Sequence, residues 1–580
     1  MSARSASRLF TVLLVVPFAC SSGSSSSSGT GGSTGTGGAP ATGGSTAAGG
    51  SRGQGGSTPG SGGSGATGTG GVLTTGSGGA GGRAGATGGA GGRATTGTGG
   101  TTTGAGGTTT GTADQSVVER NNHPSRDGVF VQPKLTKAVA ATLKLESAFK
   151  ATFTGSMWAS PLYLQNGPGG KGVFFAVTTG NDVFALDETT GATVWTKNLG
   201  SSPTANGVSC GNIHPLGILS TPVISASART IYVGAAIGTN SISDHQIHAL
   251  SVDDGSPKAG WPVSVSKVTS ASMAFSPPPQ NQRSALSLVG GKVYVAYGGH
   301  VGDCGPYHGW VVAVDTTDPT KVGGWVTGGQ GEGIWDAGGM ASDGNGVFAL
   351  TGNSTVGAST HLDSEEAVRI TGMGTKSDTF FPTSWKSMDS GDADLGASNP
   401  VYFELPGATP SKILAVVSKD GNMYLLDAAN LGGMGGQKAA LQVSNGTMSI
   451  HTAVATYTTA KGRYVVFGTN SGAMCASASG EAIVSVLVPA GAPPKPTIAW
   501  CAPLSGPVTG PVTTTTDGTS DVVVWYMSNG KLAGVDGDAG SSIFTSTDSC
   551  AGVRQWTSPI AVNGRIVVGA DGKLCAWSAP

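Results

Sequence analysis

The chain has 580 residues with 100 glycines, only 11% charged side chains and a formal net charge of −1, a balance unsuited to a nucleic-acid partner, which needs a concentrated basic surface. Five of the 32 basic residues (Arg4, Arg8, Arg52, Arg83, Arg93) and none of the 33 acidic ones precede residue 114, so the remainder is mildly acidic, at about −6. That remainder is long enough for one large domain with its own cores.

The first twenty residues carry Arg4 and Arg8, an apolar run from Leu9 to Val16, and then Cys20. The run is too short for a stable membrane anchor and reads as an export signal. It resembles a bacterial lipoprotein signal, in which the cysteine is lipidated and becomes the first residue of the mature chain. Pro17 and Phe18 depart from that pattern, which leaves ordinary signal cleavage as the alternative. Residues 21–113 are almost wholly Gly, Ser, Thr and Ala, with 38 of the glycines and no acidic residue. Such a segment has nothing to bury and is expected to be disordered, spanning roughly 50–60 Å as a Gly/Ser coil. A membrane tether is the use that suits it. Residues 114–148 are expected to lead into a folded domain at 149–580.

From residue 160 onward a three-part phrase recurs eight times. Each copy opens with small residues before a short apolar run: Ser160-Pro161-Leu162, Thr221-Pro222-Val223, Ser284-Ala285-Leu286, Met340-Ala341, Asn399-Pro400-Val401, Thr452-Ala453-Val454, Gly510-Pro511-Val512 and Ser558-Pro559-Ile560. A second apolar segment follows, beginning near 173, 231, 293, 347, 413, 464, 522 and 566, so the period is about 56 residues. A third, such as VFALDETTG at 183 or LAGVDGDAG at 532, closes on a turn. Val, Ile, Phe and Tyr in alternation, cut by Gly, Asn and Asp, predict short strands joined by hairpins. In VFALDETTGATVW, Asp187 can accept hydrogen bonds from its own turn and Gly191 can take a positive φ. Trp195, Trp261, Trp325 and Trp500 are placed to pack against neighbouring copies.

Four-stranded units of this kind cannot bury both faces alone, and radial stacking leaves only short edges. The predicted fold is all-β: an eight-bladed β-propeller of four-stranded antiparallel blades, or seven blades if the weak copy EAVRIT at 366 belongs to an insertion. Because the last copy stops after its third strand, the segment Phe149–Gly155 is expected to supply the missing strand and close the ring.

Six cysteines remain beyond Cys20, and the repeat suggests the pairs Cys210–Cys304, Cys475–Cys501 and Cys550–Cys575, although six cysteines allow fifteen pairings. Disulfides would accord with export. In a propeller the loops before the innermost strands and those between second and third strands share one face. On that mouth the repeat places Trp158, His214, Arg283, Trp335, Asp394, His451, Arg554 and Trp556 before the openers, and His300, Asp303, Tyr307, His308, Asn353, His361 and Asp363 in the second-to-third loops. Aromatic and ionisable groups around a concave mouth are the usual ingredients of a binding site. The histidines lack zinc spacing, and Asp389, Asp392 and Asp394 form only a partial calcium loop without its closing Glu.

VFALDETTGATVW, decaying through the copies at 247, 310, 423 and 532, resembles the repeat of pyrroloquinoline-quinone-type β-propellers over residues 149–580, and PLGILSTPVI, NQRSAL, GPYHGW, GIWDAGG and DLGASNP resemble a subgroup of exported bacterial propellers. The resemblance implies two readings. One is a quinone- and calcium-dependent alcohol or sugar dehydrogenase, with Asp394 as base, Asn353 toward calcium, Arg283 near the quinone carbonyls and Trp335 under its ring. The family's adjacent cysteine pair, a clear calcium Glu and a haem module are missing. The other is a non-catalytic propeller, similar in plan to the lipid-anchored propeller that serves outer-membrane protein assembly. This favours a monomeric, membrane-tethered scaffold without a cofactor, binding a protein, small-molecule or sugar ligand at its mouth.

Overall fold

The computed structural model describes residues 114–357, 359–446 and 452–580, so Cys20, the signal, the tether and His451 lie outside the described residues. Eight antiparallel meanders follow one another, and all eight repeats form blades. Blade 1 runs Leu162–Leu164, Val173–Val177, Asp182–Asp187 and Thr193–Asn198 from the axis outward. The weak copy is a genuine third strand, Ala367–Thr371 of blade 4, paired with Val347–Leu350 and Thr375–Phe381, which excludes the seven-blade count.

Burial falls from the axis outward. Val173–Val177 is buried at every position, whereas Thr193–Asn198 is exposed at alternate ones. The apolar clusters lie between blades: Val401 and Ile413 of blade 5 pack with Val465 and Val484 of blade 6, and Tyr232 and Ile247 of blade 2 with Val293 and Trp310 of blade 3. The turn after the third strand forms as the sequence predicts. Asp187 Oδ1 accepts the Thr189 and Thr190 N–H groups (3.1 and 2.8 Å), and Gly191 sits at φ +76°, where a Cβ would lie 2.2 Å from the Ala151 nitrogen. Trp195 crosses to blade 2 and donates to the Val252 carbonyl (2.9 Å); Trp500 donates likewise to Gly537 of blade 7 (2.8 Å).

Several openers bridge neighbouring blades: Ser558 N–H donates to Ser160 Oγ (2.8 Å), Ser160 N–H to Thr221 Oγ1 (2.9 Å), and Val454 N–H to Asn399 Oδ1 (2.9 Å), which accounts for the small polar residue in those copies.

Ring closure differs from expectation in one respect. The outer strand of blade 8 begins earlier, at Lys144–Leu145 paired with Ser578 and Trp577, and resumes at Thr152 opposite Lys573. Phe149–Gly155 therefore supplies only its second half, after a bulge.

Residues 114–148 are built into the disc rather than standing before it. About three residues beyond the openers, Val117 pairs with Tyr163 of blade 1, and the Val118, Pro124, Ser125 and Asp127 carbonyls accept from Ile224, Ser342, Tyr402 and Thr456 of blades 2, 4, 5 and 6. Arg126 reaches Leu286 and Ser287 of blade 3, Val129–Val131 adds a parallel strand to blade 7, and Gln132 Nε2 donates to the Ala561 carbonyl of blade 8 (3.1 Å). A segment touching all eight inner strands lies across the axis and closes the channel below the mouth.

Candidate functional site

Above this floor the mouth is built from paired groups. The Arg554 guanidinium lies over the Trp158 ring at 5.0 Å and pairs with Asp571, while Arg283 lies over the Trp556 ring at 4.9 Å. With Arg120 of the floor, Leu219, Thr221 and Ala337, the residues Trp158, Arg283 and Trp556 enclose a cavity of only about 10 Å³, near the size of one water.

Asp394 is buried at 4% exposure. Its Oδ1 accepts the Asn353 N–H (2.9 Å), and its Oδ2 is ion-paired with Lys419, which also reaches Asp392 at 3.1 Å. Burial works against the Lys419 charge, yet Asp394 and Asp392 hold its pKa above the ordinary value. Sequence reasoning missed Lys419. Its signal was available: in the hairpin SKDGN it occupies the position of Thr179 in TTGN of blade 1.

Asp303 accepts from the Tyr307 hydroxyl (2.8 Å), and Tyr307 packs edge-on to Trp335. Trp335 is wedged between blades, its Nε1 donating to the Gly299 carbonyl (3.0 Å) and its ring within 3 Å of where Cβ atoms on Gly298, Gly333 and Gly352 would stand. Among the described residues the mouth histidines do not assemble. His214 is exposed, His300 is buried against the Pro278 carbonyl (3.0 Å), His308 is half-buried beside Gly331, and His361 stacks on Phe381 at 3.5 Å. Burial lowers the His300 pKa to about 4, which leaves it neutral.

A second feature escaped the sequence reading: an acidic shoulder on blade 4. Burial lifts Glu332 to about 7 and Glu366 to about 8, and holds Asp336 and Glu365 well above the ordinary carboxylate range. Asp363 and Glu366 pair with Lys376, and Asp389 accepts from the Ser354 N–H (3.0 Å) and Ser364 hydroxyl (3.1 Å). Among the described residues no group of three or more His, Cys, Asp or Glu is placed to hold a metal ion. All three proposed disulfides form, with Cα separations of 5.9 Å for Cys210–Cys304, 6.3 Å for Cys475–Cys501 and 6.2 Å for Cys550–Cys575.

The strands define an eight-bladed β-propeller, an architecture shared with solved quinoprotein alcohol dehydrogenases. Similar solved structures include the quinohemoprotein alcohol dehydrogenase ADHIIG of Pseudomonas putida HK5 (15% identity, 80% of each chain, TM-score 0.58), the quinohemoprotein alcohol dehydrogenase of Comamonas testosteroni (14%, 80% of each chain, 0.56) and a europium-containing methanol dehydrogenase (14%, 79% of this chain and 89% of that one, 0.56). No family model and no curated protein matches the chain. A planar tricyclic quinone does not fit the residues that the resemblance would assign to it. Arg283 rests on Trp556, Trp335 is wedged between blades, and the cavity at the axis admits about one water.

Proposed function

We propose that the chain is a membrane-tethered, extracytoplasmic propeller that binds a partner or ligand through its mouth without catalysing a reaction on it. The observation that carries this reading is the state of Asp394: the residue best suited to be a base is buried, ion-paired with Lys419 and hydrogen-bonded to the Asn353 backbone. A general base needs a free lone pair within reach of the proton that it removes. Three disulfides accord with maturation in an oxidising compartment, and among the described residues no helix is long and apolar enough to cross a membrane. The tether and the lipid anchor at Cys20 are part of the proposal.

The test is dye-linked turnover. The full chain, incubated with pyrroloquinoline quinone and calcium, is presented with a panel of primary alcohols and aldoses. No dye reduction is expected; turnover that disappears in Asp394→Asn would overturn the reading.

A further inference from the structure

The floor and the mouth meet at two guanidinium groups that form no ion pair among the described residues. Arg120 is 2% exposed, and its hydrogen bonds go to neutral acceptors: Nη2 to the Trp556 carbonyl (2.9 Å) and Ser558 Oγ (3.0 Å), Nε to Asn121 Oδ1 (3.3 Å). Arg283, across the same cavity, has a buried Nε with no hydrogen-bond partner, and among the described residues it forms no ion pair. Asp394 and Asp303 act on Arg283 only through longer-range attraction, since Asp394 is held by Lys419 and Asp303 by Tyr307. Arg126, a second buried arginine of the floor, is matched by Glu119 at 3.0 Å. Burial lowers Arg120 to about 9, with Arg126 adding repulsion, and Arg283 to about 10.

Burying a cation without a counter-charge is costly, and buried charges are as a rule paired. The lining of this cavity contains two arginines, two tryptophans, a threonine and two aliphatic residues, and no carboxylate. Its volume of about 10 Å³ suits one acceptor atom.

We propose that this axial cavity is a binding site for a single small anion, a halide or the leading oxygen of a small carboxylate, held between Arg120 and Arg283 beside Trp556. The site stands independently of whether the mouth serves a partner or a reaction. An occupied site also couples the lead-in to the ring, because Arg120 belongs to the first and Arg283 to blade 3.

The experiment titrates the full chain with sodium chloride, sodium acetate or sodium gluconate at constant ionic strength, the balance being gluconate, whose bulk excludes it from the cavity. Thermal unfolding is followed, together with quenching of tryptophan fluorescence by bromide. A ligand bound only by the folded state raises Tm with the logarithm of its concentration above Kd, here by roughly 2 °C or more at about a hundredfold excess over Kd. A rise with chloride alone assigns the site to inorganic halide, and a rise with acetate alone or with both assigns it to a carboxylate. Arg283→Met should abolish the increment and the saturable quenching, Arg283→Lys should keep a weaker response, and Arg229→Gln, which removes a surface arginine paired with Asp253, should leave the response intact. Equal Tm in all three salts, or an undiminished response in Arg283→Met, overturns the assignment.

Discussion

Replacing Arg126 with Met tests the idea that the lead-in is a structural floor. The side chain is wholly buried and donates five hydrogen bonds: to Glu119 (3.0 Å), the Arg120 carbonyl (2.8 Å), the Leu286 carbonyl (2.9 Å), Ser287 Oγ (2.6 Å) and the Met340 carbonyl (3.0 Å). Met340 keeps a donor in Ser287 Oγ (2.9 Å), but two carbonyls and the Glu119 carboxyl are left without theirs. Breaking one side of a buried ion pair costs about 3–5 kcal/mol. With unfolding entropy near 2.1 cal/mol/K per residue over the ring, that is a fall of about 3–5 °C in Tm. The penalty has a signature beyond its size. Burial already lifts Glu119 to about 7 against the opposing pull of Arg126, so without the arginine its pKa must climb further. Folding then carries a proton uptake that grows costlier as pH rises, and the deficit of Arg126→Met should be larger at about pH 8.5 than at about pH 6. Adding Glu119→Gln should recover the pH-dependent part only, since the orphaned carbonyls remain. Urea unfolding of the wild type, Arg126→Met, Glu119→Gln and the double variant at both pH values measures this. A loss below about 1 kcal/mol, or a deficit independent of pH, would refute the reasoning.

Three further outcomes follow from the same physics. Lys419→Met should destabilise by about 3–5 kcal/mol by stranding buried Asp394, with Lys419→Met/Asp394→Asn recovering much of the loss in a double-mutant cycle. Stability should fall between about pH 7 and 8: Glu332 and Glu366, with pKa values raised to about 7 and 8, hold protons in the folded chain that the unfolded chain has released, whereas buried His245, His248 and His300, lowered to about 4, are neutral in the folded chain and largely neutral in the unfolded one over that range. Glu332→Gln should flatten this decline and gain on the order of 1–2 kcal/mol at about pH 8, measured by urea midpoints. Removing Cys550–Cys575, whose partners are 25 residues apart, should cost about 3.5 kcal/mol of stability, visible as a lower unfolding temperature for Cys550→Ser/Cys575→Ala.

The propeller was legible because its information is local and repeated. Asp187 and Gly191 form their turn from adjacent residues, and Trp195 finds the next blade because the matching turn of blade 2 presents Val252 and Gly255 to it. The disulfides followed from the same register. The lead-in was not legible, since its contacts depend on the completed ring: Val117 and Gln132 meet opposite ends of a sequence that closes only in three dimensions. The mouth was legible as a set of residues and not as pairings. Arg283 with Trp556 and Arg554 with Trp158 join different blades, and no spacing within one copy encodes them; Asp394 and Lys419 share the copy of blade 5, but their pairing depends on how its entering loop folds back over its second-to-third hairpin. The raised carboxylates of blade 4 were hidden for a related reason, because burial of Glu332 and Glu366 is set by neighbouring loops.

Calorimetric titration of the full chain with pyrroloquinoline quinone in the presence of calcium tests the non-catalytic reading most directly. The mouth as built, with its arginines laid on its tryptophans and its base ion-paired, predicts no saturable heat. One-to-one binding at micromolar concentration, lost when Arg283 is replaced by Met, would contradict it.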